Sequence, residues 1–232
     1  DCHELDYENE NEVRHALKIV RSLHASGASS PWKFDFYDEA KRIWHLLEEE
    51  GWPLPADFDE LAEQVGKLVG PMRAGAGAPV LCHNDFYSPN LLVTGDDICL
   101  IDWEYAAMGD YGCDFGNFIA QGSGYSVERA LEALPYYFGR EATDEERLHC
   151  TACVAVVGWY WYVWALFKEC KGAPVGKWTR IWYDAAKDFS AAAQKMLDES
   201  CKNLHALTRP EFDALVAVEG GRGNEADAAV LA

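Results

Sequence analysis

Apolar residues recur every three or four positions through most of this chain, a spacing that predicts helices. In residues 10–24, Val13, Leu17, Val20 and Leu23 share one face, and residues 27–31 end the run. The same reading predicts helices over 36–50, with Ile43, Leu46 and Leu47 on the apolar face, and over 58–69, stopped by Gly70-Pro71. Residues 74–79 form a loop of small residues. Downstream, helices are expected over 114–121, with Asp114 near the N-terminus, and over 126–138, 145–171 and 177–204. Residues 152–167 are an almost unbroken apolar and aromatic run. That is short for a membrane span of about 20 residues, so a buried helix and no membrane span are expected. Residues 209–232 are rich in Gly, Ala and acid, with weak periodicity. They read as a partly disordered tail on a domain over residues 1–208.

The period shortens between residues 80 and 102. Residues 80–82 and 91–94 read as short apolar strands, Gly95-Asp96-Asp97 as a turn and 98–101 as a return strand. Residues 104–112 read as an irregular loop. The expected fold class is therefore α+β: mainly α with a small β-hairpin.

That hairpin is flanked by polar groups of one kind of chemistry. His83-Asn84-Asp85-Phe86-Tyr87-Ser88-Pro89-Asn90 precedes its first strand, and Ile101-Asp102-Trp103-Glu104-Tyr105 follows its second. The return strand carries Asp102 back towards Asp85 and Asn90. A loop Asp, an Asn five residues on and a second Asp beyond a hairpin suit phosphoryl transfer. One Asp accepts the proton of the attacking hydroxyl, and the Asn and second Asp hold Mg²⁺ on nucleotide phosphates. Singly, each of these residues is equally at home capping a turn; the order and spacing of all three carry the chemical reading.

At 232 residues the chain is one large domain or two small ones, and 49% hydrophobic residues with nine Trp supply a core. A net charge of −19 argues against nucleic acid, whose phosphates need patches of Lys and Arg. It attracts a cationic substrate, or serves solubility alone. The eight Cys do not read as a disulfide framework in a chain this long, and a reducing cytoplasm is the expected compartment. Cys82, Cys99 and Cys113 lie in or beside apolar segments and are expected to be buried thiols. Cys150-Thr151-Ala152-Cys153 has CxxC spacing but lacks the second CxxC or His pair that a zinc motif of that kind carries. The chain opens on Asp1 within acidic sequence and reads as a piece of a longer protein.

Three blocks resemble the choline/ethanolamine kinase branch of the aminoglycoside phosphotransferase and protein-kinase-like superfamily. They are Cys82-His83-Asn84-Asp85 with Asn90; Ile101-Asp102-Trp103-Glu104-Tyr105-Ala106 running on to Gly109-Asp110 and Asp114-Phe115-Gly116-Asn117; and Trp161-Tyr162-Val163-Trp164. Val20-Arg21-Ser22-Leu23-His24 is similar to the end of the helix that follows the hinge in these enzymes. The resemblance implies roles. Asp85 would be the catalytic base, Asn90 and Asp102 the Mg²⁺ ligands, His83 a scaffold residue linking the catalytic loop to the Asp102 segment, and Glu104 a support of the loop. A quaternary ammonium has no N–H to donate and is held by ring faces and nearby carboxylates. Trp161 and Trp164, three apart on one helix face, are implied walls of such a cage, with Tyr87 and Tyr125 as further candidates. Gln121 falls at the cation site, where related choline kinases tend to carry Glu. Tyr183 lies one position from a cage Tyr of the family.

The implied reaction is ATP- and Mg²⁺-dependent phosphotransfer to the hydroxyl of a small cationic alcohol, choline first. Ethanolamine, thiamine, an aminoglycoside or an amino sugar are alternative acceptors, and a non-catalytic kinase-like binding module is the alternative of another class. Such enzymes also need a smaller lobe whose sheet covers the nucleotide and supplies a Lys. No Val-Ala-Ile-Lys-like strand or Gly-rich phosphate loop precedes His83, and Gly75-Ala76-Gly77-Ala78 is a poor imitation of one. The chain is therefore expected to be the C-terminal lobe, with the N-terminal lobe absent, and to be inactive alone.

Overall fold

The structure, a computed structural model, describes residues 2–122 and 124–206; the tail expected at 209–232 lies outside them. Short strand β1 (Cys2–Glu4) leads into α1 (Glu10–His24), α2 (Phe36–Glu49) and α3 (Phe58–Gly75). Then come β2 (Val80–Cys82), a 3-10 turn at Ser88–Asn90, and the hairpin of β3 (Leu91–Thr94) and β4 (Asp97–Leu100). Strand β5 (Ala107–Gly109) precedes α4 (Tyr111–Gln121), α5 (Val127–Phe138), α6 (Asp144–Cys170) and α7 (Lys177–Ala206). The chain divides into two compact units, Asp1–Ala193 and Gln194–Ala232. Of the second, the described part is helix, with Gln194 Nε2 donating to Asp198 Oδ1 at 2.9 Å.

In the first unit α6 is the axis, packed by α2, α3 and α4. Every residue from His149 to Val163 is buried, so this stretch of the helix turns no face to solvent. It is long and apolar enough to cross a membrane, yet 89% of its most apolar stretch is buried inside the protein. A capping box between Thr143 and Glu146 starts it. Trp159 and Tyr160, 1% and 4% exposed, pack into the α2–α6 aromatic core with Trp44, Phe36 and Phe58.

Two expectations change here. Helix α3 does not stop at Gly70-Pro71 but runs through Pro71 to Gly75. A proline inside a helix costs about 3 kcal/mol. Burial of Leu68, Val69 and Met72 offsets it, and the Met72 carbonyl accepts Nδ1–H of His149 at 3.0 Å. Cys99 is exposed rather than buried, because it points outward from an edge strand. Cys82 and Cys113 are buried.

Two strands escaped the sequence reading, both three residues long. β1 is exposed throughout and pairs antiparallel with β3, His3 opposite Val93. β5 lies inside the expected loop and pairs antiparallel with β2, Leu81 opposite Met108. Three residues are too few to show a period. The hairpin itself forms with Leu91 opposite Leu100 and Thr94 opposite Asp97, around a Gly95-Asp96 turn in which Gly95 has φ 61°.

Candidate active site

The loop from His83 to Asn90 is held from below by one buried carboxylate. Asp114, 0% exposed on α4, accepts the backbone N–H of His83 at Oδ2 (2.8 Å) and of Asn84 at Oδ1 (2.7 Å). Nε2–H of His24, at the end of α1, donates to the same Oδ2 at 2.9 Å, and Nδ1 of His24 lies 2.7 Å from the Tyr137 hydroxyl. Burial pushes the Tyr137 phenol up, so it keeps its proton and donates. Asn84 has φ 63°, a left-handed conformation Asn tolerates, and its Nδ2 donates to the Tyr105 carbonyl at 2.9 Å. In the sequence Asp114 stands near the start of a helix and within one of the three blocks that carry the family resemblance. Its spacing from the motif gave no sign that it binds the motif's backbone.

His83 is buried and used at both ring nitrogens. Nε2–H donates to the Ile101 carbonyl at 2.8 Å, and Nδ1 accepts the Asp85 N–H at 3.3 Å. A ring committed to two backbone groups has no lone pair to offer a substrate proton.

Asp85 is partly buried. Its Oδ2 accepts Nδ2–H of Asn90 at 2.9 Å, and the same amide nitrogen donates to the Asp85 carbonyl at 2.8 Å. Its Oδ1 accepts Nε2–H of Gln121 at 3.2 Å. Burial raises the Asp85 pKa above the usual carboxylate value. The Gln121 and Asn90 hydrogen bonds oppose that rise, and the Asp102 charge adds to it. Asp102 is exposed with φ 60°. The preceding Ile101 N–H donates to the Asn90 carbonyl at 3.0 Å, so the hairpin brings Asp102 beside the Asp85–Asn90 pair.

The structure divides the other sequence candidates. Glu104 is exposed, and among the described residues its side chain makes no hydrogen bond or ion pair; the Asn84–Tyr105 bond supports the loop instead. Gln121 is 3% exposed and belongs to the site directly. Its Nε2 also lies 3.3 Å from Asn117 Oδ1, which accepts Nε1–H of Trp161 at 2.8 Å. Asp114, Asn117 and Gln121, spaced three and four apart, thus form one polar stripe on α4. Trp161 is 4% exposed. It is stacked on Trp182 (5.6 Å, 29°) and edge-on to Trp164 (5.4 Å, 85°) and Tyr105 (6.0 Å, 74°). Trp164 is half-buried, with Lys168 Nζ already 5.4 Å from its ring centre. Tyr183 hydrogen-bonds Asp57, so Trp182 takes the place beside Trp161. Tyr87 is half-buried near Asp85 and Asp102, whose charges, with burial, raise its phenol pKa. Tyr125 is set apart: it packs on Tyr7 and Phe118, and the Arg129 guanidinium lies 4.2 Å from its ring centre.

Tyr7 was missed altogether. Its buried hydroxyl accepts the Ser88 N–H at 3.2 Å, while Ser88 Oγ donates to the Leu5 carbonyl at 2.6 Å. The segment after β1 thereby pins the turn that presents Asn90. Only contacts more than eighty residues apart in sequence reveal this.

The phosphotransferase enzyme family matches residues 3–149. The chain is 28% identical to ethanolamine kinase 2 of Mus musculus over 173 residues, which are 65% of this chain and 44% of that protein. A solved choline/ethanolamine kinase family protein from Mesorhizobium loti superposes with TM-score 0.66 at 25% identity, over 82% of this chain and 62% of that one. Choline kinase LicA from Streptococcus pneumoniae shares the fold, with TM-score 0.68 at 20% identity over 83% of this chain and 68% of that one. The chain therefore spans less than half of the mouse relative's length. With its loop, hairpin and helical bed arranged as described, this chain belongs to the phosphotransferase enzyme family.

Proposed function

We propose that this chain carries the base, metal and acceptor groups for ATP- and Mg²⁺-dependent phosphotransfer to the hydroxyl of a small cationic alcohol, with choline first. The observation that carries this reading is the use of the Asn90 amide. Its nitrogen is spent on Asp85, which leaves its carbonyl oxygen for a hard cation, next to the exposed Asp102 carboxylate. Both are oxygen donors of the kind Mg²⁺ prefers, so the residues fit the ion. Bound there, Mg²⁺ would neutralise charge on the nucleotide phosphates. Asp85, fixed at both oxygens, orients the acceptor hydroxyl and takes its proton. The Trp161–Trp164–Tyr105 group and the −19 charge favour a cation at the acceptor end.

One observation favours ethanolamine as the second reading. Gln121 is neutral, and its Nε2 is spent on Asp85 and Asn117. Its remaining carbonyl can accept N–H from a primary ammonium, which choline lacks. The test is a comparison of kcat/KM for choline, ethanolamine and an aminoglycoside with Mg·ATP in the parent protein. Preference for the aminoglycoside, or no turnover with any acceptor, overturns the proposal. The nucleotide-covering lobe is proposed to lie upstream, so this chain alone is expected to show no turnover.

Two variants probe the site. Trp164→Ala removes the more accessible ring and is expected to raise KM for the alcohol about 3- to 30-fold, with KM for ATP unchanged. An unaltered alcohol KM removes Trp164 from the acceptor site. Gln121→Glu replaces a donor to Asp85 with a second carboxylate and is expected to raise the Asp85 pKa further, because a hydrogen bond that lowers it is lost and a like charge is added. Asp85 works ionised, so activity is lost as pH falls through its pKa. The acid limb of the kcat/KM profile should therefore move to higher pH. A stationary limb would mean that Gln121 does not tune the base.

A further inference from the structure

Four metal-ligating side chains with no part in the proposed reaction meet where α3, α4 and α6 converge. Asp110, the N-cap of α4, places Oδ2 3.8 Å from Sγ of Cys153. Cys153 Sγ lies 3.7 Å from Nε2 of His149, and that nitrogen lies 2.9 Å from Asp110 Oδ1. Cys113 joins Asp110 and Cys153, the ligand atoms of these three all lying within 4.8 Å of one another, and His149 adjoins the group through Asp110 and Cys153. His149, Cys113 and Cys153 are at most 4% exposed.

The hydrogen bonds around His149 are informative. The Met72 carbonyl can only accept, so Nδ1 of His149 must donate to it at 3.0 Å. In the neutral ring, Nε2 then presents a lone pair to the Asp110 carboxylate at 2.9 Å. Two acceptors at that distance need a proton or a metal ion to join them. A histidine whose other N–H is fixed by a backbone carbonyl is the usual arrangement of a metal ligand. The surroundings are shaped to this group. A Cβ on Gly112 would lie 2.7 Å from Cys153 Sγ and 2.8 Å from His149 Nε2, and one on Gly75 would lie 2.8 Å from His149 Nδ1. A tetrahedral zinc with bonds of about 2.3 Å to sulfur and 2.0 Å to nitrogen or oxygen has S···N and S···O edges of about 3.5 Å, close to the separations found around Cys153. Asp110 and Cys113 also line a cavity of about 430 Å³ together with Asp35, Arg73 and Met108, which gives an ion a way in.

We propose that Asp110, Cys113, His149 and Cys153 form a zinc site that ties α4 to α6. Two thiolates, a carboxylate and an imidazole favour Zn²⁺ over hard cations, and the carboxylate and imidazole disfavour Cu⁺. On binding, the two thiols give their protons to solvent, and the N-terminus of α4 offsets the negative charge that remains. The pattern is visible in sequence as Asp110-x-x-Cys113 and His149-x-x-x-Cys153, each pair on one helical face. The partner of Cys153 is Cys113 across the helix interface, not Cys150 of the CxxC spacing.

The full chain, incubated with Zn²⁺ and desalted, is expected to retain about one equivalent by elemental analysis. Its Co²⁺ form should show thiolate-to-metal charge transfer. The double variant Cys113→Ser, Cys153→Ser should lose both signals. Retention of less than a stoichiometric amount of zinc by the unmodified chain overturns the site and leaves a hydrogen-bonded His149–Asp110 pair among buried thiols. If the double variant fails to fold, zinc-edge absorption on the unmodified chain decides: two sulfur neighbours support the site, and none overturns it.

Discussion

Replacing Asp85 with Asn in the parent protein should lower kcat by about 10²- to 10⁴-fold, which is about 3–5 kcal/mol of transition-state stabilisation, while KM for both substrates changes little. Asn keeps the size of Asp85 and one acceptor oxygen, so binding and folding survive. What it cannot do is take the proton of the attacking hydroxyl. Asp85 is suited to that task by opposing influences: burial lifts its pKa, and donors from Gln121 and Asn90 restrain the lift. The acid limb of the pH profile should also vanish from the residual activity of Asp85→Asn. Steady-state kinetics across pH check both points. A rate near that of the unmodified enzyme would exclude Asp85 as the base.

Asp114→Ala should instead be the largest single loss of stability in the site. Its carboxylate accepts two backbone N–H groups and the His24 ring in a fully buried setting. Alanine leaves three donors unpaired, and an unsatisfied buried donor costs about 1–3 kcal/mol. Breaking such a buried network typically costs about 3–5 kcal/mol in all, a large part of a total stability of about 5–15 kcal/mol. At about 2–4 °C per kcal/mol for a domain of this size, the melting temperature should fall by about 10 °C or more. Asp114→Asn, which keeps one acceptor, should fall less. Thermal melts followed by circular dichroism measure this directly. A melt for Asp114→Ala within a few degrees of the unmodified chain would mean that the loop does not depend on this anchor.

The helices and the hairpin were legible in the sequence because each repeats its period several times. Val13, Leu17 and Val20 mark α1, and Leu91–Thr94 with its Gly95 turn marks the hairpin. Asp85, Asn90 and Asp102 stood out in the sequence by their order and spacing, and the hairpin brings them side by side. What stayed hidden depends on distant pairing. β1 and β5 are strands only because β3 and β2 lie beside them. Asp114, Tyr7 and Asn117 act through hydrogen bonds that link residues 30 to 81 positions apart. Pro71 misled because local propensity was outweighed by burial of α3. Trp161 and Trp164 stood out as a pair, but the place of Trp182 beside them depends on α7 meeting α6.

Helix α4 has a consequence for anyone altering this protein. Asp110 caps it, and Asp114, Asn117 and Gln121 follow along one side, so a metal ligand, a loop anchor and an acceptor-site amide share a single rod. Eleven residues at about 1.5 Å each place the two ends about 17 Å apart, yet their angular relation is fixed by helical geometry. Adding or deleting one residue within α4 would turn everything beyond it by about 100° and uncouple the base from its bed. Substitutions at Gln121 act at that one end, on Asp85 and Asn117. Changes in the length or pitch of α4 act on every one of these groups together, so a chimera exchanging acceptor preference between relatives must move the helix whole.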